Sequence, residues 1–163
     1  MRIYYGWYIV AMAMAMLALV VGSIFLSFGL FVIPVSEEFQ LSRADTNTAM
    51  IALNIGCAVA APMVGRILDL YPIRRVIAVS ALLFGASMVV LGLSHSLWLS
   101  AFVLAAPLAA GMTGAATISA STVVARWFTA YRGRAMAILA VGFSLGGIVV
   151  VPLMGALMEA VGW

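Results

Sequence analysis

The sequence predicts an all-α integral membrane protein with five transmembrane helices, on the strength of two observations. First, 66% of the residues are apolar and 8% are charged, against roughly 25% charged in soluble domains. A water-facing shell cannot be built from so few charges, so the bilayer has to be the main solvent. Second, the charges cluster and leave four long runs without Asp, Glu, Lys or Arg: Ile3–Ser36, Thr46–Gly65, Val76–Ala125 and Ala135–Met158.

The first run supplies span 1, expected over 4–35, and the second supplies span 2 over 46–68. A span needs ~20 apolar residues to cross ~30 Å of hydrocarbon. The third run as one helix would be about 75 Å long at 1.5 Å per residue. It must therefore fold back, and Gly92-Leu93-Ser94-His95-Ser96 is the polar interruption near its middle. Spans 3 and 4 are then expected over 76–93 and 97–124, and span 5 over 135–159. Met1-Arg2 before a long apolar run imitates a signal peptide, but the run far exceeds the ~7–15 residues of such a region and reads as a retained span.

Loop charges orient the spans. Arg2, Arg66, Arg74, Arg75, Arg126, Arg132 and Arg134 fall on one side, and Arg43 falls on the other with Glu37, Glu38, Asp45, His95 and Glu159. The arginine-rich side is expected to be cytoplasmic, in the inner or plasma membrane, with the N-terminus inside. The arginines read as anchors at lipid headgroups rather than as a nucleic-acid surface. The lone Cys57 lies mid-span among Gly56, Ala58 and Ala60 and reads as a small packing residue.

Shifting the chain by ninety positions lays Gly56, Val59, Pro62 and Gly65 on Gly146, Val149, Pro152 and Gly155, and Asp69 on Glu159. Shared apolar residues mean little in a membrane protein, whereas a shared Gly-x5-Pro-x2-Gly-x3-acid order points to duplication. Span 2 then matches span 5, and span 1 matches span 4. Three spans separate each pair, so the copies lie in opposite orientations, as in the inverted repeats of many secondary transporters. The counterpart of span 3 falls near position 166, past Trp163. The expectation is a six-helix, 3+3 bundle whose sixth span is missing, in a truncated first half of a transporter.

No Asp, Glu, Lys, Arg or His lies mid-span, so neither catalytic residues nor a proton relay are expected there. One Cys and one His cannot cluster into a metal site, and no cofactor is implied. Hydroxyls are unevenly spread. Thr113, Thr117 and Ser121 follow one stripe of span 4, and Ser23 and Ser27 lie one turn apart in span 1. Asn54 in span 2 and Ser144 in span 5 occupy equivalent repeat positions. These seven are candidate lining of a polar cavity along spans 1 and 4; the bland alternative is hydroxyls bonded to their own helices. Gly142, Gly146, Pro152 and Gly155 are candidate helix-packing positions. Span 3 is nearly uniformly apolar, which suits a lipid-facing role.

Gly65-Arg66-Ile67-Leu68-Asp69-Leu70-Tyr71-Pro72-Ile73-Arg74-Arg75 resembles the signature turn of the major facilitator superfamily, Gly-x3-Asp-[Arg/Lys]-x-Gly-[Arg/Lys]-[Arg/Lys]. Gly65, Asp69 and Arg74 match, Leu70, Pro72 and Ile73 depart, and Arg75 supplies a second base one place late. Arg126-Trp127-Phe128-Thr129-Ala130-Tyr131-Arg132-Gly133-Arg134 and the following Gly142-Phe143-Ser144-Leu145-Gly146-Gly147 are similar to the monocarboxylate and oxalate/formate members. Tyr5-Gly6-Trp7 and Phe28-Gly29-Leu30-Phe31 look similar too. The lysine that animal monocarboxylate carriers place in span 1 falls at Leu26. The resemblance implies a secondary transporter of a small solute, a monocarboxylate or other organic anion, working with a second six-span half. It also implies that Gly65, Asp69, Arg74 and Arg75 form a gating motif. The competing reading is a non-transporting membrane subunit packed through glycine-rich faces.

Overall fold

Among the described residues, five helices are long and apolar enough to cross a membrane: α1 (Tyr5–Leu30), α2 (Asn47–Leu70), α3 (Ile73–Leu93), α4 (Trp98–Trp127) and α5 (Arg132–Leu157). The computed structural model describes residues 5–30, 43–94, 96–129 and 131–161, and no strand occurs among them. Arg2, Glu37, Glu38, Ser42 and His95 lie outside the described residues, and so does most of the rim expected to be external. Side chains are not described for Arg43, Asp45 or Glu159.

The helices overrun the charge-free runs. Arg74 and Arg75 lie within α3, and Arg126, Arg132 and Arg134 lie within α4 and α5, where the sequence suggested loops, while Arg66 lies within α2 as the expected span over 46–68 has it. A helix bonds locally and need not stop at the hydrocarbon edge, while long arginine stems carry their charge out to the headgroups. The α2–α3 turn therefore shrinks to Tyr71-Pro72. Proline disfavours the α region at Tyr71, and its fixed φ (−59° here) lets α3 start directly after it. The long third run does fold back, at Ser94–Ser96, where both serines are extended. The Ser94 hydroxyl oxygen accepts from the Ser96 N–H at 3.4 Å, and the Ser100 and Ser94 hydroxyls bond at 3.0 Å.

The helix α4 is the axle of the bundle, the most buried of the five, and α3 is the least buried. One core joins Val10, Ala13, Leu17 and Val21 of α1 to Ala116, Ala120 and Val124 of α4, and to Ala135 and Leu139 of α5. A second joins Ile24 of α1 and Leu53 of α2 to Leu104, Leu108 and Ala109 of α4. The helix α3 meets α4 closely at Gly111, where a β-carbon would stand 2.7 Å from the Phe84 nitrogen, and one turn on at Gly114, where a β-carbon would overlap the Ser80 hydroxyl. Val79, Leu82 and Val89 on the rest of α3 are exposed, the side suited to lipid.

The repeat is visible in the packing. A β-carbon at Gly56 of α2 would overlap the Ala105 carbonyl oxygen and stand 2.8 Å from Ala109 Cβ on α4. A β-carbon at Gly146 of α5 would stand 2.7 Å from the Ala18 carbonyl oxygen and 3.3 Å from Gly22 Cα on α1. Equivalent glycines thus seat α2 on α4 and α5 on α1, each against a residue pair one turn apart. This is the relation an inverted repeat imposes, with small residues letting backbones meet.

Among the described residues, four π turns interrupt the helices, at Gly22–Leu26, Leu104–Leu108, Thr113–Thr117 and Gly146–Val150. The first and last abut, since a β-carbon at Gly22 would lie 2.8 Å from Val150 Cβ.

Candidate functional site

Most of the hydroxyls proposed as cavity lining satisfy themselves locally. Ser27 is fully buried and donates to the Gly22 carbonyl at 2.7 Å, across its π turn. Thr113, 3% exposed, donates to the Ala109 carbonyl at 2.7 Å. Both sit in helix–helix contact rather than on an open wall. Thr117 donates to Thr113 O at 3.1 Å and Ser121 to Ile118 O at 2.8 Å, both half-buried, and Ser23 donates to Leu19 O. The helix lines up Thr113, Thr117 and Ser121, but their protons are spent on their own backbone.

Asn54 and Ser144 stand differently. Both are exposed, and each precedes its packing glycine by two residues. Two residues turn a helix by about 200°, so each repeat grips its neighbour with glycine and turns a polar side chain to the opposite side. Asn54 donates one amide proton to Met50 O at 2.8 Å, leaving its side-chain carbonyl without a hydrogen-bond partner among the described residues. Facing hydrocarbon, an amide without partners costs roughly 2–7 kcal/mol. Gly65 lies eleven residues beyond Asn54, almost the same helical angle, and nothing lies within 4 Å of where its β-carbon would be. One stripe of α2 thus carries a polar amide and an open glycine that this bundle does not cover.

Of the four packing candidates, Gly142 and Gly146 lie against α1, with a Gly142 β-carbon 2.6 Å from the Met14 carbonyl oxygen. Pro152 and Gly155 do not follow them. Pro152 is exposed, and a Gly155 β-carbon would meet only Leu30 Cδ1 at 3.9 Å. Helical spacing accounts for this, since six and nine residues turn a helix by about 240° and 180° from Gly146, off the α1 side.

At the arginine-rich rim, Asp69 pairs with Arg126 at 3.7 Å, and the same guanidinium donates to the Leu68 carbonyl at 3.0 Å. Arg126 therefore ties the end of α4 to the end of α2, satisfying a terminal carbonyl where a cation is favoured. Sequence reasoning placed Arg126 only as a topology anchor; its position in the last helical turn of span 4 was the available signal. Arg74 and Arg75 are exposed and make no ion pair among the described residues. The side chains of Asp69 and Arg126 are 82% and 50% exposed, so screening limits the pair to about 1 kcal/mol or less. In a double-mutant cycle with Asp69→Asn and Arg126→Gln, unfolding in mixed micelles is expected to show coupling no larger than that. Coupling above ~2 kcal/mol would contradict the exposed geometry.

A family model described as Major Facilitator Superfamily matches residues 3–163. The chain is also 24% identical over 137 residues to the "Uncharacterized MFS-type transporter YcxA" of Bacillus subtilis (strain 168), covering 84% of this chain and 34% of that protein. It thus spans about a third of the length of this curated relative. No solved structure matches the chain.

Proposed function

Because the chain belongs to the major facilitator superfamily, we propose that it forms the first five spans of a secondary transporter that moves a small organic anion, such as a monocarboxylate, by alternating access. The observation that carries this is the uncovered stripe of α2, with Asn54 and Gly65 on one face. A polar amide at membrane depth calls for a protein or a wet cavity beside it, and an open glycine suits close approach by another helix. A second bundle meeting α2 and α5 supplies both, and the two bundles rock about a site between them. The family's members are transporters, which fits the expectation that no catalytic residues are present. With no mid-span cation in these helices, the group that meets a carboxylate is assigned to the second bundle.

Uptake by the full-length gene product in proteoliposomes tests this reading. Saturable uptake of small monocarboxylates, blocked by one another and not by sugars, is the expected result. Saturable uptake of an uncharged solute only would reject the anion assignment. Tight complexes with another membrane protein and uptake of nothing would favour the assembly-subunit reading.

The proposal sets the arginine rim in the cytoplasm of an inner or plasma membrane. With Cys57 removed, single cysteines at Tyr71 and Ser42 are expected to differ in intact cells. An impermeant thiol reagent should label position 42 and spare position 71, and the reverse pattern would invert the topology.

A further inference from the structure

We propose that the groove between the start of α1 and the first turns of α5 is a binding site for one phospholipid with an anionic headgroup. Trp7, Tyr131, Arg134, Ala137 and Ile138 line it, around about 440 Å³. Its residues are ordered by depth. Tyr131 caps α5, Arg134 lies in the first turn, and Ile138 and Val141 follow on the same helical face, 40% and 51% exposed. A cation at the rim followed by an apolar strip reproduces the order of a phospholipid, phosphate first and acyl chain after.

The charge is available. Among the described side chains Asp69 is the one carboxylate, and it is paired with Arg126. Arg134 makes no ion pair among the described residues; its guanidinium lies 5.6 Å from the centroid of the Tyr131 ring. A cation–π contact of this kind holds the guanidinium near the ring and leaves N–H edges available, and those edges match a phosphate with two parallel bonds. The opposite wall is firm, because Trp7 packs edge-on against Phe128 at 5.2 Å, and Phe128 is 5% exposed. Basic pockets between helices at the headgroup level are the kind of site that selects anionic lipids from the bulk. Arg74 and Arg75, on the same rim, lie over no aromatic ring among the described residues. The inference is independent of which solute is transported.

Native mass spectrometry of the full-length protein in detergent tests it, with phosphatidylglycerol and phosphatidylcholine of matched chains supplied in equal amounts. The wild type is expected to retain one phosphatidylglycerol in preference to phosphatidylcholine. Arg134→Gln should cut that preference about fivefold, the effect of one arginine at an anionic surface. Arg134→Lys, which keeps the charge without the guanidinium fork, should fall between, and Arg74→Gln should match wild type. If Arg134→Gln does not yield folded protein, Arg134→Lys against Arg74→Gln carries the comparison. Equal retention of the two lipids by wild type, or undiminished retention by the Arg134 variants, overturns the proposal. Displacement of the lipid by excess inorganic phosphate also overturns it, since the site would then read phosphate alone.

Discussion

Gly56→Ala is expected to destabilise the bundle by about 1–3 kcal/mol or more, the range for forcing a methyl group into a filled contact. The added carbon overlaps the Ala105 carbonyl oxygen, which is backbone and cannot swing aside, and meets Ala109 Cβ at 2.8 Å. Gly146→Ala should cost a similar amount, because it occupies the equivalent contact on α1. Gly85→Ala in α3 is the control, since nothing lies within 4 Å of its β-carbon position. There alanine's better helix propensity should stabilise by up to ~1 kcal/mol. Opposite signs are thus expected for one substitution at different helix positions. Unfolding in mixed micelles reads all three, and a stabilising Gly56→Ala would show that α2 and α4 do not meet at this distance.

Gly65→Leu is expected to leave folding intact and to stop transport. The space around Gly65 is open within this bundle, so leucine should fit without loss of stability. If a second bundle closes onto α2, the same side chain blocks closure, and initial uptake by the full-length protein should fall on the order of tenfold or more, about 1.4 kcal/mol in barrier. Asp69→Asn should have a smaller effect, slowing uptake and raising the thiol accessibility of cytoplasmic cavity positions. Its pair with Arg126 is exposed and replaceable by water. Wild-type uptake in a well-folded Gly65→Leu protein would show that this face of α2 is never approached closely.

The number of helices was legible because length and charge settle it: a 50-residue apolar run cannot cross once. The repeat was legible through the spaced order of Gly and Pro, since five prolines in the chain are few enough to register a shift. The faces of each helix were not. In soluble proteins apolar residues mark the inside, but here both sides are apolar, and Leu17 in the core reads the same as exposed Leu19. The inside is marked instead by smallness, as with Ala116 and Ala120 on α4. The hydroxyl stripe misled for a related reason. A serine in a span can bond its own helix as easily as a solute, and Ser27 and Thr113 do so while buried. The π turns among the described residues have no residue signature in common, whereas the placement of Pro152 and Gly155 away from α1 was legible in their spacing from Gly146 and was missed. Arg126 was read for its charge and missed for its reach.

The contact of Gly22 with Gly146 and Val150 also bears on how the protein is made. Its partners are separated by more than a hundred residues of chain, so α1 enters the bilayer long before α5 exists. At ~5–20 residues per second the wait is roughly 6–25 s. Until α4 and then α5 follow, the surface of α1 that meets them has no partner within the bundle. Val10, Ala13, Leu17, Ala18 and Val21 leave nothing on that surface for a chaperone to shield or for a stray helix to hydrogen-bond. The small residues that later allow close contact thus keep the nascent first helix inert until its neighbour is synthesised.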